Sequence, residues 1–185
     1  MATAVVRAAA PLPVTVVCDD DDVAAWAESM DASVEMTPGV GLNGAVSEAV
    51  ERLRRNGVRR AVVAHGDLPF ARGFDQFVPD SDSTRAEVVI VPDRRRAGTN
   101  VLSVPTDVGF RFAYGVGSLE LHLAEAARLG LSVRVWSLDD LGWDIDEPAD
   151  LDVPEHLGRL DPIALAHTAQ DPPTTEPPHT DRSPG

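Results

Sequence analysis

Arg60-Ala61-Val62-Val63-Ala64 runs directly into His65-Gly66-Asp67-Leu68-Pro69. After its arginine the first segment is continuously apolar, the composition of a strand buried on both faces, as in a parallel sheet. Gly66 and Pro69 make a tight exit from that strand and present Asp67 at its rim. In an open parallel sheet, ligands gather beyond the carboxyl ends of the strands. The stretch therefore predicts an architecture and also where its site should lie.

The flanking sequence repeats the theme. Residues 14–18 (Val-Thr-Val-Val-Cys) are β-branched, and Asp19 to Asp22 precede a helical stretch over residues 23–30. Residues 33–37 read as a second strand, ended by Pro38-Gly39. Residues 42–55 have helical periodicity, with Ala45, Val46, Ala49, Val50 and Leu53 on one apolar face. Downstream, residues 87–91 and 132–136 are strands, residues 100–104 and 110–112 extended, and residues 118–129 an amphipathic helix. Residues 148–157 begin as a helix with proline in its first turn. Strand–helix alternation of this kind predicts an α/β fold with a mostly parallel sheet covered by helices on both faces. Residues 1–160 form one domain. After residue 160, Pro172, Pro173, Pro177, Pro178 and Pro184 stand among polar residues, which predicts a disordered tail over 161–185.

Charge and composition narrow the function. A net charge of −14 argues against nucleic-acid binding, which needs a basic surface. No stretch has the ~18 consecutive apolar residues of a membrane span, and the N-terminus lacks a signal-peptide pattern, so a cytoplasmic protein is expected. Cys18 is the single cysteine, which excludes an intramolecular disulfide. All 16 basic residues are arginines. Any cationic role toward phosphates must then fall to arginine, to a metal or to residues this chain lacks.

Three segments lie beyond strand ends: the Asp67 turn, Pro92-Asp93-Arg94 through Gly98-Thr99-Asn100, and Trp143 through Pro148. In an extended Asp144-Ile145-Asp146, alternation points both carboxylates to one side. With Asp67 they would form an oxygen-rich site suited to Mg²⁺, which takes one or two carboxylates plus phosphate and water. The plainer readings are a turn residue for Asp67 and N-terminal acids of a helix for Asp144 to Glu147. Tyr114-Gly115-Val116-Gly117-Ser118 introduces a helix whose free amides favour a phosphate, although Ser118 is equally a good N-cap. Asp19 to Asp22 read as helix-stabilising acids, and Arg94-Arg95-Arg96 as a solvated loop or an anion grip. His65 and His122 lie beside these segments with no nucleophile to serve.

Taken in order, Gly41 to Ala45, His65 to Pro69, Val91 to Arg94, Gly98 to Leu102, Tyr114 to Ser118 and Trp143 to Leu151 resemble the guanylyltransferase family of deazaflavin coenzyme F(420) biosynthesis. The resemblance covers roughly residues 13–152 and implies a nucleotide-diphospho-sugar-transferase-like fold. It implies transfer of GMP from GTP to the phosphate of a small phosphorylated carboxylic acid, phosphoenolpyruvate or 2-phospho-L-lactate. By position, Asp67, Asp144 and Asp146 would bind Mg²⁺, Thr99, Gly115 and Ser118 would hold the acceptor phosphate, and Asn43 would lie on the nucleotide side. Family members begin with a further strand and a basic loop, and residues 1–13 look like the tail of the helix that follows them. The chain as written is thus expected to leave sheet edges unpaired and to bind GTP weakly. Two competing readings are a non-catalytic remnant that keeps the acceptor pocket and a nucleotidyltransferase for another acceptor.

Overall fold

A computed structural model describes residues 1–78 and 86–160; the expected tail over 161–185 lies outside the described residues. The elements are α1 (Ala2–Ala8), β1 (Thr15–Cys18), α2 (Asp21–Ser29), β2 (Ser33–Met36), α3 (Gly41–Arg55), β3 (Arg60–Ala64), β4 (Glu87–Pro92), β5 (Thr99–Pro105), α4 (Ser118–Arg128), β6 (Ser132–Val135) and α5 (Asp139–Gly142). Short 3₁₀ turns cover Phe74–Phe77, Pro148–Leu151 and Glu155–Leu157.

The strands form two sheets, β1-β2 and β3-β5-β4-β6. β1 and β2 are parallel, as are β4 and β6, whereas β3 and β4 both run antiparallel to β5. The sheet is therefore mixed, and the parallel setting expected for residues 60–64 is wrong. An apolar run reports burial on two faces, but strand direction comes from connectivity. Here the β4–β5 hairpin reverses the chain between them. β3 pairs only with β5 and β1 only with β2 among the described residues, while α3 touches both β1 and β3.

Side chains alternate across β4 and β5 and so build two cores. Val88, Ile90, Leu102 and Val104 face α3 and α4, meeting Val46, Val50, Leu119 and Ala126. Val89, Val91 and Val101 face the other way, against Val5, Ala8, Phe74, Phe77 and Leu141. Helices on both faces of the sheet give the three-layer arrangement. Residues 109–117 carry no strand; Phe110 and Phe112 fill the α4-side core from an irregular segment. Asp20, not a metal, explains the acidic run: its carboxylate caps α2 by accepting from the amides of Asp22 and Val23 at 2.8 and 3.0 Å.

Candidate functional site

Strand direction brings the chemistry to one edge. The carboxyl ends of β3, β4 and β6 and the start of β5 coincide, because Ala64 pairs with Val101 and Pro92 with Thr99. The amide of His65 donates to Asn100 O at 3.1 Å, and that of Trp136 to Ile90 O at 2.8 Å. Asp67, Thr99 and the segment after β6 are thereby neighbours.

The segment 142–151 is stitched down from several sides. The amide of Ile145 donates to Asp67 O at 3.3 Å, that of Arg94 to Gly142 O at 2.8 Å, and Asn100 Nδ2 to Leu141 O at 3.1 Å. Its organiser is Asp150, whose side chain is fully buried. That carboxylate accepts from Arg94, from Arg95 at 3.1 Å, and from the amides of Asp146 and Glu147 at 2.9 Å each. Burial acts to raise its pKa, yet Arg94 and the two amides prevail and hold it at about 2. Arg94 also lies 4.3 Å over the Trp143 ring. Arg94 and Arg95 are thus structural, and Arg96 donates to Ser137 Oγ at 2.9 Å. Asp150 was legible only as a member of a motif; the signal for its role is the spacing Glu147–Asp150, which forms a capping box at the turn Pro148–Leu151.

The segment is not a strand, so simple alternation does not govern Asp144 and Asp146: Asp144 is buried and Asp146 exposed. Asp67 Oδ1 is buried and has no hydrogen-bond partner. Burial raises the pKa of Asp67, and the Asp146 charge adds to that, against an opposing pull from His65. Burial likewise raises Asp144, reinforced by Asp146, Asp67 and Asp93. These carboxylates form one mutually repelling set, which an added cation would relieve. Among the described residues no three His, Cys, Asp or Glu side chains gather closely enough to hold a metal between them. A site here would therefore draw on one or two carboxylates, the number Mg²⁺ prefers.

The glycine segment is linked to Thr99 through His122. Gly115 and Gly117 have φ of 121° and 75°, conformations that favour glycine. Gly117 is the N-cap of α4, so Ser118 is its first helical residue and makes no capping bond, contrary to the N-cap reading. The first amides of α4 are partly engaged already: Ser118 N donates to Gly115 O at 3.1 Å and Leu119 N to Ala97 O at 3.4 Å. Asn43 grips the Tyr114 backbone at both ends, accepting from its amide at 2.6 Å and donating to its carbonyl at 3.1 Å. In this structure Asn43 shapes the glycine segment from α3. His122, on α4, is fully buried between that segment and Thr99. Tyr114 meets His122 edge-on at 4.9 Å and His65 at 5.3 Å, and burial pushes its hydroxyl pKa up.

Comparison with known proteins agrees with this frame. A profile of the family described as "Guanylyl transferase CofC like" matches residues 1–155. A phosphoenolpyruvate guanylyltransferase of Chloroflexus aurantiacus is 37% identical over 106 residues, 57% of this chain and 52% of that protein. One from Chloroflexus aggregans is 30% identical over 139 residues, covering 74% of this chain and 68% of its own length. A 2-phospho-L-lactate guanylyltransferase of Methanosarcina barkeri is 33% identical over 110 residues, 60% of this chain and 48% of that one. The matches thus span about half to two thirds of these curated relatives. Among solved structures, a chain described as a nucleotide-diphospho-sugar transferase from Desulfovibrio desulfuricans aligns with a TM-score of 0.51 at 16% identity, over 71% of this chain and 62% of that one. That likeness confirms the nucleotide-diphospho-sugar-transferase-like fold. With its profile match over most of its length, the chain belongs to the CofC-like guanylyl transferase family.

Proposed function

We propose that the chain transfers GMP from GTP to the phosphate of a small phosphorylated carboxylic acid, phosphoenolpyruvate or 2-phospho-L-lactate, in coenzyme F(420) biosynthesis. One observation carries the reading: an unpartnered buried Asp67 oxygen, beside an Asp144 whose pKa burial also raises, at the same sheet edge as Thr99. The names of the relatives supply the nucleotide and the acceptor class. Asp67 and Asp144 or Asp146 would hold Mg²⁺, which when bound would neutralise phosphate charge. Thr99, Gly115 and Ser118 would receive the acceptor phosphate, and a further nucleotide-side role for Asn43 is left to whatever its carboxamide can add beyond gripping Tyr114.

In the reaction an acceptor phosphate oxygen bonds to the α-phosphorus of GTP. The bond from that phosphorus to the α–β bridging oxygen breaks, and pyrophosphate leaves with its electron pair. The attacking oxygen is already anionic, so no protein base is required, and alignment carries much of the catalysis. No helix among the described residues is long and apolar enough to cross a membrane. The acidic net charge of −14 argues against a nucleic-acid partner.

The test is pyrophosphate release from GTP, Mg²⁺ and each candidate acid. Release that requires an acid is expected, and its absence with every three-carbon phosphorylated acid overturns the proposal.

A further inference from the structure

His122 joins the two halves of the proposed acceptor site. Its Nε2 accepts the amide of Ala113 at 3.0 Å, at the root of the glycine segment. Its Nδ1 lies 3.0 Å from Thr99 Oγ1, at the start of β5. An amide can only donate, so Nε2 must carry its lone pair toward Ala113. In a neutral imidazole the proton then sits on Nδ1. Burial and the nearby His65 push the pKa of His122 down to about 4, which keeps the ring neutral at physiological pH. Nδ1–H therefore donates to Thr99.

This settles what Thr99 can offer. Thr99 is 2% exposed, and one lone pair of its hydroxyl is occupied by His122. Among the described residues no acceptor takes the hydroxyl's own hydrogen. A phosphate dianion presents only acceptors. In the opposite tautomer Thr99 would have to donate to Nδ1 and turn lone pairs toward such a ligand, while Nε2–H would confront the Ala113 amide.

We infer that His122 is a positioning residue: through Nδ1–H it holds the Thr99 hydroxyl as a donor to a phosphate oxyanion, and through Nε2 it holds the loop that carries Gly115. The inference rests on the acceptor site proposed above and assigns a residue to it.

Two half-replacements separate the roles. Asn at position 122 places a donor near the Nδ1 position, and Gln places an acceptor near the Nε2 position. His122→Gln is expected to raise KM for the acceptor about 10- to 100-fold, the loss of one charge-assisted hydrogen bond. Its kcat and KM for GTP should stay within about twofold. His122→Asn, which keeps a donor toward Thr99 but loses the acceptor for the Ala113 amide, should raise acceptor KM less, about 3- to 10-fold. Thr99→Val should match His122→Gln, and the double variant should be no worse than Thr99→Val alone. Acceptor KM unchanged in His122→Gln, or in Thr99→Val should the former not fold, overturns the inference. So does additivity in the double variant. ¹⁵N NMR of the imidazoles is the independent readout, with Nδ1–H expected at His122; Nε2–H there contradicts the inference whatever the activity. Titration with inorganic phosphate should shift the His122 ring signals in wild type and not in Thr99→Val. That pattern without turnover on any acid sinks the guanylyl-transfer reading alone, and no shift in wild type sinks the inference.

Discussion

At the scale of residues, charge and burial make opposing demands on this fold. His122 is held neutral with a pKa of about 4, against an ordinary value of 6.5. Between those values the unfolded chain binds the extra proton, so the contribution is whole above about pH 6.5 and is lost as pH falls toward 4. The loss should be on the order of 2–3 kcal/mol, seen as the difference in urea-unfolding stability between wild type and His122→Gln across that range. The difference isolates His122, because Asp67 and Asp144 act oppositely. Their raised pKa values favour the folded state as they become protonated, so their cost is greatest at neutral pH. It follows that Asp67→Asn should melt at an equal or higher temperature than wild type without metal. The same variant should lose both turnover and the rise in melting temperature that Mg²⁺ brings. A wild-type response to Mg²⁺ in Asp67→Asn would remove Asp67 from the metal site.

At the scale of elements, two irregular segments line the candidate site, and one residue in each offers a test. The segment 142–151 depends on Asp150. Asp150→Ala leaves Arg94 without its buried partner and frees two amides, which should cost about 3–5 kcal/mol. Limited proteolysis should then cut within this segment, and an uncut variant would contradict the role given to Asp150. The glycine segment depends on Gly117, whose φ is 75° and whose added Cβ would meet nothing within 4 Å. Gly117→Ala should therefore cost only conformational strain, roughly 1–2 kcal/mol, while raising acceptor KM. These segments also mark the limit of what the sequence discloses. Helix α3 and the acidic cap of α2 were readable because apolar periodicity and capping are local. The antiparallel pairing of β3 with β5, the grip of Asn43 on the Tyr114 backbone 71 residues away and the burial of Asp150 depend on distant partners or on packing. Asp67, Thr99, Gly115 and Ser118 could be nominated from turn chemistry and resemblance, whereas His122 became meaningful only once both of its ring nitrogens had partners.

At the scale of the whole molecule, the mixed sheet explains where the candidate site lies. With β5 antiparallel to β3 and β4, the start of β5 falls where its neighbours end, which sets Thr99 at the edge that carries Asp67 and against His122 of α4. One side of that edge gathers carboxylates that repel one another, and the other offers glycine backbone and a hydroxyl awaiting an acceptor. A cation-assisted transfer to an anionic phosphate uses both sides. The most direct measurement follows the α-phosphate: GTP labelled there is incubated with the protein, Mg²⁺ and phosphoenolpyruvate or 2-phospho-L-lactate. Label should pass into an acid-linked GMP product with wild type and not with Asp67→Asn. Label remaining in GTP with every three-carbon phosphorylated acid, or transferred equally by Asp67→Asn, would contradict the account.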